Sequence, residues 1–258
     1  MRRIGTQTLL VLLVVANLAP LGYMLLLALS WQGAPGLQAW RELWHGAPHL
    51  SRWLGNSLAV AGLTVGFHLL ADSMAGFVLA KRVFRGQRLV LAVVLLALMV
   101  PRQVTLIPLF LGMARLNLAD TFAGLLLPGL GDVIGIFLMR QFFIALPGAL
   151  LEAARMDGAS EWGAFRHVAL PLARPALAVL GVLAFQHYWS DFFWPLVITQ
   201  SPEHFTIQVG LAYLSQSEFG PQLELMAAGA LMAAMPILIL FLCVRRHYFA
   251  GLRAGALK

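Results

Sequence analysis

Six continuous apolar stretches, at 9–30, 54–80, 89–113, 122–139, 175–199 and 225–244, alternate with short polar segments along the chain. Each approaches the ~20 residues that a helix needs to cross a hydrocarbon core. The runs are unbroken and do not alternate residue by residue, so they predict six transmembrane helices and not a barrel. The first stretch follows Arg2 and Arg3 and ends in Ala28-Leu29-Ser30, the outline of a signal peptide. Its apolar run exceeds the ~7–15 residues of a signal core, so it reads as a retained span. The segment 31–53 carries Trp31, Trp40, Trp44 and Trp53. Trp31 and Trp53 are expected at the membrane interface. Pro35-Gly36 marks a turn, and 37–44 fits one short amphipathic helix.

Composition narrows the class. The chain is 60% apolar and 11% charged, whereas a soluble domain has roughly a quarter charged residues. A water-soluble globule is excluded, and Cys243 as the only cysteine excludes a disulfide scaffold. One membrane domain, 1–258, accounts for the chain. Its net charge of +7 is a topology signal. In a six-span layout Arg2, Arg3, Lys81, Arg82, Arg85, Arg88, Arg140, Arg155, Arg166, Arg174, Arg245, Arg246, Arg253 and Lys258 share one side. Arg41, Arg52 and Arg115 lie on the other, and Arg102 falls inside the third stretch. Both termini are therefore expected in the cytoplasm. These charges form no aromatic-lined patch, so no nucleic-acid partner is expected.

The polar loop 141–174 carries an ordered pattern. Pro147 suits the first turn of a helix, Ala149 to Asp157 are mostly helix formers, and Gly158 is a C-terminal stop. Ser160 can cap a second helix, with Glu161 at its positive end and Pro171 closing it. Glu152 and Arg155, about one turn apart, are expected to pair. Trp162, Phe165 and Ala169 form an apolar face that must cover either the bundle or a partner. The alternative is an amphipathic loop lying on lipid.

The run Glu152-Ala153-Ala154-Arg155-Met156-Asp157-Gly158-Ala159-Ser160, followed by Leu170-Pro171-Leu172, resembles the EAA loop of binding-protein-dependent ABC transporter permeases. Further segments resemble the maltose-type, carbohydrate branch of that family. These are Asn56-Ser57-Leu58, Ala75-Gly76-Phe77, Val100-Pro101-Arg102-Gln103 with Pro108, Leu125-Leu126-Leu127-Pro128, Arg140-Gln141-Phe142-Phe143, Trp189 to Pro195, and Tyr248 to Leu252. One departure is Ser190, where relatives usually carry Asn. The resemblance implies an all-α polytopic permease with a coupling helix between helices four and five, docked on a cytoplasmic ATPase dimer. It further implies a second permease subunit, an extracytoplasmic solute-binding protein, and a home in a bacterial or archaeal cytoplasmic (inner) membrane. The loop 200–221, with Glu203 and Glu218, would face the binding protein. ATP and Mg would belong to the ATPase, and no cofactor to this chain.

Other signals have simpler readings. Gly129-Leu130-Gly131-Asp132 matches the GxGD pattern of intramembrane aspartyl proteases, which need a second carboxylate sharing a proton; Asp72 and Asp191 are available. The competing reading is a Gly- and Pro-broken helix with Asp132 facing the bundle interior, since an intramembrane Asp is costly. Gly62-x-x-x-Gly66 and Gly131-x-x-x-Gly135 suggest close helix packing, with a gate hinge as the alternative. His68 and His187 lack metal-ligand spacing and are expected to be hydrogen-bonded core residues. No HExxH, GxSxG or GxxxxGK[ST] pattern occurs, so no metal site, catalytic residue or ATP hydrolysis is expected. Trp189, Asp191 and Trp194, toward the outer half of span five, suit either sugar rings and hydroxyls or interface anchoring.

Overall fold

The computed structural model describes residues 2–32, 34–216 and 222–256, and within these the side chains of 6–244. Glu218 and the side chains of Tyr248 to Leu252 lie outside that set. The chain begins with α1 (Arg2–Ala28), a two-residue pair β1 (Ser30–Trp31) and β2 (Ala34–Pro35), α2 (Gln38–Gly46) and α3 (Leu50–Lys81). It continues with α4 (Gln87–Met99), α5 (Arg102–Arg115), α6 (Phe122–Leu126) and, after a 3-10 turn at Leu127–Gly131, α7 (Ile134–Ala145). Next come α8 (Gly148–Met156) and α9 (Glu161–Ala164), then a π-helical turn at Phe165–Ala169. Last are α10 (Leu170–Leu172), α11 (Arg174–Trp189), α12 (Phe193–Ile198), α13 (Ile207–Ser215) and α14 (Leu223–Ala256).

The 32-residue α3 is the mast of the bundle. At 1.5 Å per residue it is about 48 Å long, well beyond the ~30 Å hydrocarbon core. Its sides carry α7 and α11, while α14 packs on α11, α1 and α2. The two ends of α3 define the two ends of the molecule. At its start, Trp53 Nε1 donates to Pro202 O (2.7 Å), and Asn56 Nδ2 donates to Glu203 O and Phe205 O (2.9 and 3.0 Å). At its finish, Lys81 Nζ donates to Leu146 O and Arg82 pairs with Glu161.

Four helical stretches are long and apolar enough to span a membrane: Thr6–Ala28, Leu50–Lys81, Phe122–Ala145 and Leu223–Val244. There are six if each of two bent pairs counts as one crossing. The stretch at 89–113, expected as one helix, is two, meeting at 101°. Val100 is held extended (φ −83°, ψ 116°) by the following Pro101, and the helix cannot run through. The stretch at 122–139 is interrupted at Leu127–Gly131, where Pro128 and two glycines weaken it. The stretch at 175–199 breaks between Trp189 and Phe193, because Pro195 cannot donate to the carbonyl of Asp191 four residues back.

Three smaller expectations are corrected. The chain reverses between Trp31 and Ala34, not at Pro35-Gly36. Trp53 is not an interface anchor: it is 2% exposed, against Phe205 and Gly210. The indole has a partner inside the protein, so it gains nothing from the headgroup layer. Gly62 and Gly66 have nothing within 4 Å of their would-be Cβ positions, so among the described residues they pack against no helix. Helices α3 and α7 approach closely at Gly135 and at Gly76, whose added Cβ would lie 2.7 Å from Met139 Cβ and 2.8 Å from Arg140 N.

The end of the molecule near Trp53 is laced by Asp120. Its carboxylate accepts from the N–H groups of Gln200 and Ser201 (2.9 and 3.0 Å), from the Ser201 hydroxyl and from His204 Nδ1 (3.1 Å). Burial opposes its charge, but these hydrogen bonds together hold the carboxyl well below the usual carboxylate range.

Gly76→Val is expected to destabilise the chain by about 1–3 kcal/mol through overpacking, whereas Gly62→Ala leaves the isolated subunit unchanged. Melting in detergent, followed by size-exclusion fluorescence, separates the two. Asp120 stabilises the fold above its unfolded pKa of about 3.9, and that contribution is lost as pH falls toward its folded value. Asp120→Asn should therefore lower the melting temperature at pH 7, with the gap to wild type narrowing below about pH 4.

Candidate functional site: a projecting hairpin and an intramembrane cavity

The segment Gly148–Leu172 forms the hairpin that its residue pattern predicts. Pro147 sits at the cap of α8, one place before the first turn. Gly158 ends the helix at φ +87°, a conformation that glycine adopts without penalty. Gly158 N–H donates to Arg155 O (3.0 Å) and Ala159 N–H to Ala154 O (2.9 Å), the paired bonds of a Schellman stop. Ser160 Oγ accepts from Gly163 N–H (3.1 Å), capping α9. Pro171 lies in the last turn of this second arm, which ends at Leu172, and the chain bends by 75° before α11.

Arg155 does not pair with Glu152. Its Nε and Nη2 donate to Glu161 Oε1 and Oε2 (2.9 and 3.4 Å), and Glu161 also pairs with Arg82 at the end of α3. The stop at Gly158 folds α9 back, which puts Glu161 nearer to Arg155 than Glu152 is. Glu152 is exposed, as are Ala153, Asp157, Ser160 and Pro171, while Ala154, Ala159 and Leu170 are half-buried. Leu151, Ala164, Phe165 and Ala169 are buried with Phe77, Met139 and Phe143 of the bundle. The apolar face therefore splits: Phe165 packs inward against Phe77 (5.1 Å between centroids, rings tilted by 51°), while Trp162 is 51% exposed. Met156 (88%) and Leu150 (44%) are exposed beside it. The hairpin is anchored by one set of apolar side chains and presents another.

The second feature lies within the bundle. The three interrupted stretches leave a cavity of about 510 Å³, lined among others by Arg102, Asp132, His187, Tyr188, Asp191 and Trp194. Asp132 Oδ1 accepts from Ile134 N–H (3.0 Å), capping α7, and Oδ2 pairs with Arg102. Arg102 also contacts His187 Nε2 and lies 6.0 Å from the centre of the Tyr188 ring. Asp132 thus faces the bundle interior, and His187 lines the cavity and is not a core residue.

Behind this cavity His68 is 3% exposed. Its Nε2 donates to Gly129 O (2.9 Å), and its Nδ1 lies 2.9 Å from Asp72 Oδ2. A carbonyl only accepts, so Nε2 carries a hydrogen; Nδ1 and the Asp72 carboxyl then hold a second proton between them. Tyr188 Oη donates to the same Gly129 carbonyl (2.8 Å) and stands 3.1 Å from His68 Nε2. Asp72 therefore has His68 as its partner and Asp132 has Arg102. They do not form the proton-sharing carboxylate dyad of an aspartyl protease. Gly135, whose Cβ would fall 1.8 Å from Asp72 Oδ2, gives that carboxyl its room, while Gly131 has open space.

Trp189, Asp191 and Trp194 are separated by the break. Trp189 is fully buried, donating to Ala233 O (2.7 Å) and stacked on Phe185, so it packs α11 on α14. Trp194 donates to Gly124 O (3.0 Å) and walls the cavity; Asp191 lines it too. A separate, more apolar cavity of about 550 Å³ lies between α2, α13 and α14. Among the described residues no cluster of metal-ligating side chains occurs.

A helical membrane bundle with interrupted crossings and a projecting polar hairpin is the frame of a transport subunit. The chain belongs to the family of binding-protein-dependent transport system inner membrane components, whose model matches residues 72–250. It is 38% identical over 206 residues to an arabinooligosaccharides transport system permease protein of Halalkalibacterium halodurans, covering 80% of this chain and 74% of that one. A trehalose transport system permease protein of Mycobacterium tuberculosis is 34% identical (79% and 75% covered). An sn-glycerol-3-phosphate transport system permease protein of Pectobacterium atrosepticum is 32% identical (84% and 81%). In fold the chain matches a chain of a bacterial ABC transporter that imports the acidic polysaccharide alginate. There the TM-score is 0.82 at 24% identity, with 95% of each chain covered. These relatives are transport permeases and not enzymes, and the protease reading falls with them.

Removing one partner of the Arg102–Asp132 pair is expected to cost about 1–3 kcal/mol, since a largely buried acceptor loses its donor. Arg102→Met and Asp132→Leu should each lower the melting temperature, and the double variant should recover much of the loss.

Proposed function

We propose that this chain is one permease subunit of an ATP-driven sugar importer in a bacterial or archaeal inner membrane. It crosses the membrane six times with both termini in the cytoplasm, α4–α5 serving as one bent crossing and α11–α12 as another, with the α8–α9 hairpin outside the membrane. With a second permease subunit it forms the translocation path, and a cytoplasmic ATPase dimer grips the α8–α9 hairpin. The sugar assignment is supported by the arabinooligosaccharide and trehalose permeases among its relatives. A solute-binding protein on the outer face is supported by a second fold match (TM-score 0.69, 17% identity, 94% and 93% covered). That match is to a bacterial alginate ABC transporter in complex with alginate pentasaccharide-bound periplasmic protein.

The observation that carries the coupling role is the clamp of Arg155 and Arg82 on Glu161. It ties the stop of α8 to the end of α3, with Leu150, Met156 and Trp162 left exposed. A hairpin fixed to the 32-residue α3 at one side and bare at the other moves as a lever: ATPase closure swings it, and α3 turns with it. The fourteen basic residues on this side of the six-span layout support its cytoplasmic placement.

Glu152→Arg, at an exposed position outside the clamp, is expected to lower solute uptake and transport-linked ATPase activity by roughly tenfold or more, a contact loss of ~1.4 kcal/mol. Membrane insertion should stay intact. Uptake and ATPase rates equal to wild type in that variant would overturn the coupling role.

A further inference from the structure

We propose that the cavity where the interrupted helices meet is a solute site that accepts uncharged polyhydroxy compounds and turns anions away. The inference rests on the reading of the chain as a sugar permease and specifies which solutes its path admits. Each of three breaks delivers one charged residue to the same 510 Å³ space: Arg102 after Val100-Pro101, Asp132 before α7, and Asp191 between α11 and α12. Discontinuous helices that converge in this way are how membrane transporters bring polar groups to a solute without exposing backbone to lipid.

The balance of charge at this junction decides the ligand class. The guanidinium of Arg102 is engaged by Asp132. Asp191 makes no hydrogen bond or ion pair among the described residues. Asp132 holds one arm of the guanidinium, so an anionic group approaching Arg102 would meet two carboxylates, Asp132 beside it and Asp191 across the same space. A hydroxyl meets no such obstacle, because it can donate to Asp191 and accept from neighbouring donors. One further feature suits a sugar: Tyr188 and Trp194 supply aromatic walls for the apolar face of a ring. Among the transported compounds named for the relatives, glycerol phosphate and alginate carry negative charge, and trehalose and arabinooligosaccharides do not. The cavity of this chain fits the second kind.

The test reads the field in the cavity without needing the solute. In the assembled transporter in membrane vesicles, Cys243 is replaced by serine and a cysteine is placed at Thr105 or, as a second position, at Gln103, both in the cavity wall. The cationic trimethylammonium-ethyl and the anionic sulfonatoethyl methanethiosulfonate reagents are compared, each rate normalised to its reaction with free mercaptoethanol. The cationic reagent is expected to react about tenfold faster or more, within the range by which charged clefts concentrate counter-ions. Asp132→Asn, which releases Arg102, should shrink or reverse that preference. Equal rates, a faster anionic reagent, or no reaction with either at both positions would overturn the proposal. The rates require neither nucleotide nor binding protein. A failure here therefore leaves the permease assignment standing, and a failure of coupling at Glu152 leaves these rates unchanged.

Discussion

A helix interrupted inside a hydrocarbon layer must find partners for its freed backbone and side-chain polar groups within the protein, because lipid offers none. This constraint organises the bundle. Three membrane stretches are broken, and the pieces satisfy one another. Asp132 caps α7 and takes Arg102 from the start of α5. Gly129, freed at the 3-10 turn, offers its carbonyl to His68 of α3 and Tyr188 of α11. A single polar knot thereby joins α3, the α4–α5 bend, the α6–α7 break and α11. Apolar clusters flank it along α3, with Trp53 toward one end and Phe143 and Phe165 toward the other.

The same helix that carries His68 and Asp72 in its middle carries Arg82 just beyond its end. The lever at Glu161 and the knot at Gly129 are therefore fastened to one rigid rod. Gly76 sits between them and lets α7 lie close against α3. In the coupling we propose, a displacement imposed on the hairpin would reach the cavity as a movement of α3 and α7 together. The Asp120 lacing at the far end holds the segment around Ser201 to the loop before α6.

Much of this was legible in the residue order, for reasons that are local. Continuous apolar runs mark spans whatever the tertiary fold. Gly158 and Ser160 act through their own backbone and nearest neighbours, so the stop and the cap could be placed in advance. The break at Val100-Pro101 follows from proline's restriction of the residue before it, which the continuous apolar run 89–113 masks. What could not be read was long-range. Glu161 was placed at a helix start, and only the reversal at Gly158 decides that Arg155 turns to it and not to Glu152. His68, Tyr188 and Gly129 are far apart in the chain and meet only when α3, α11 and the α6–α7 break pack. Tryptophan serves membrane interfaces and protein cores equally well, so the buried roles of Trp53 and Trp189 carried no sequence mark.

The central claim is that the α8–α9 hairpin is a lever held by a nucleotide-driven subunit and fixed to α3. Its most direct test is a structure of the purified assembly in a lipid nanodisc, with and without bound nucleotide. The account predicts Leu150, Met156 and Trp162 seated against the ATPase in both states, with the Arg82–Glu161–Arg155 clamp intact and α3 reoriented between them. A hairpin that lies among lipid chains and touches no other subunit would contradict it.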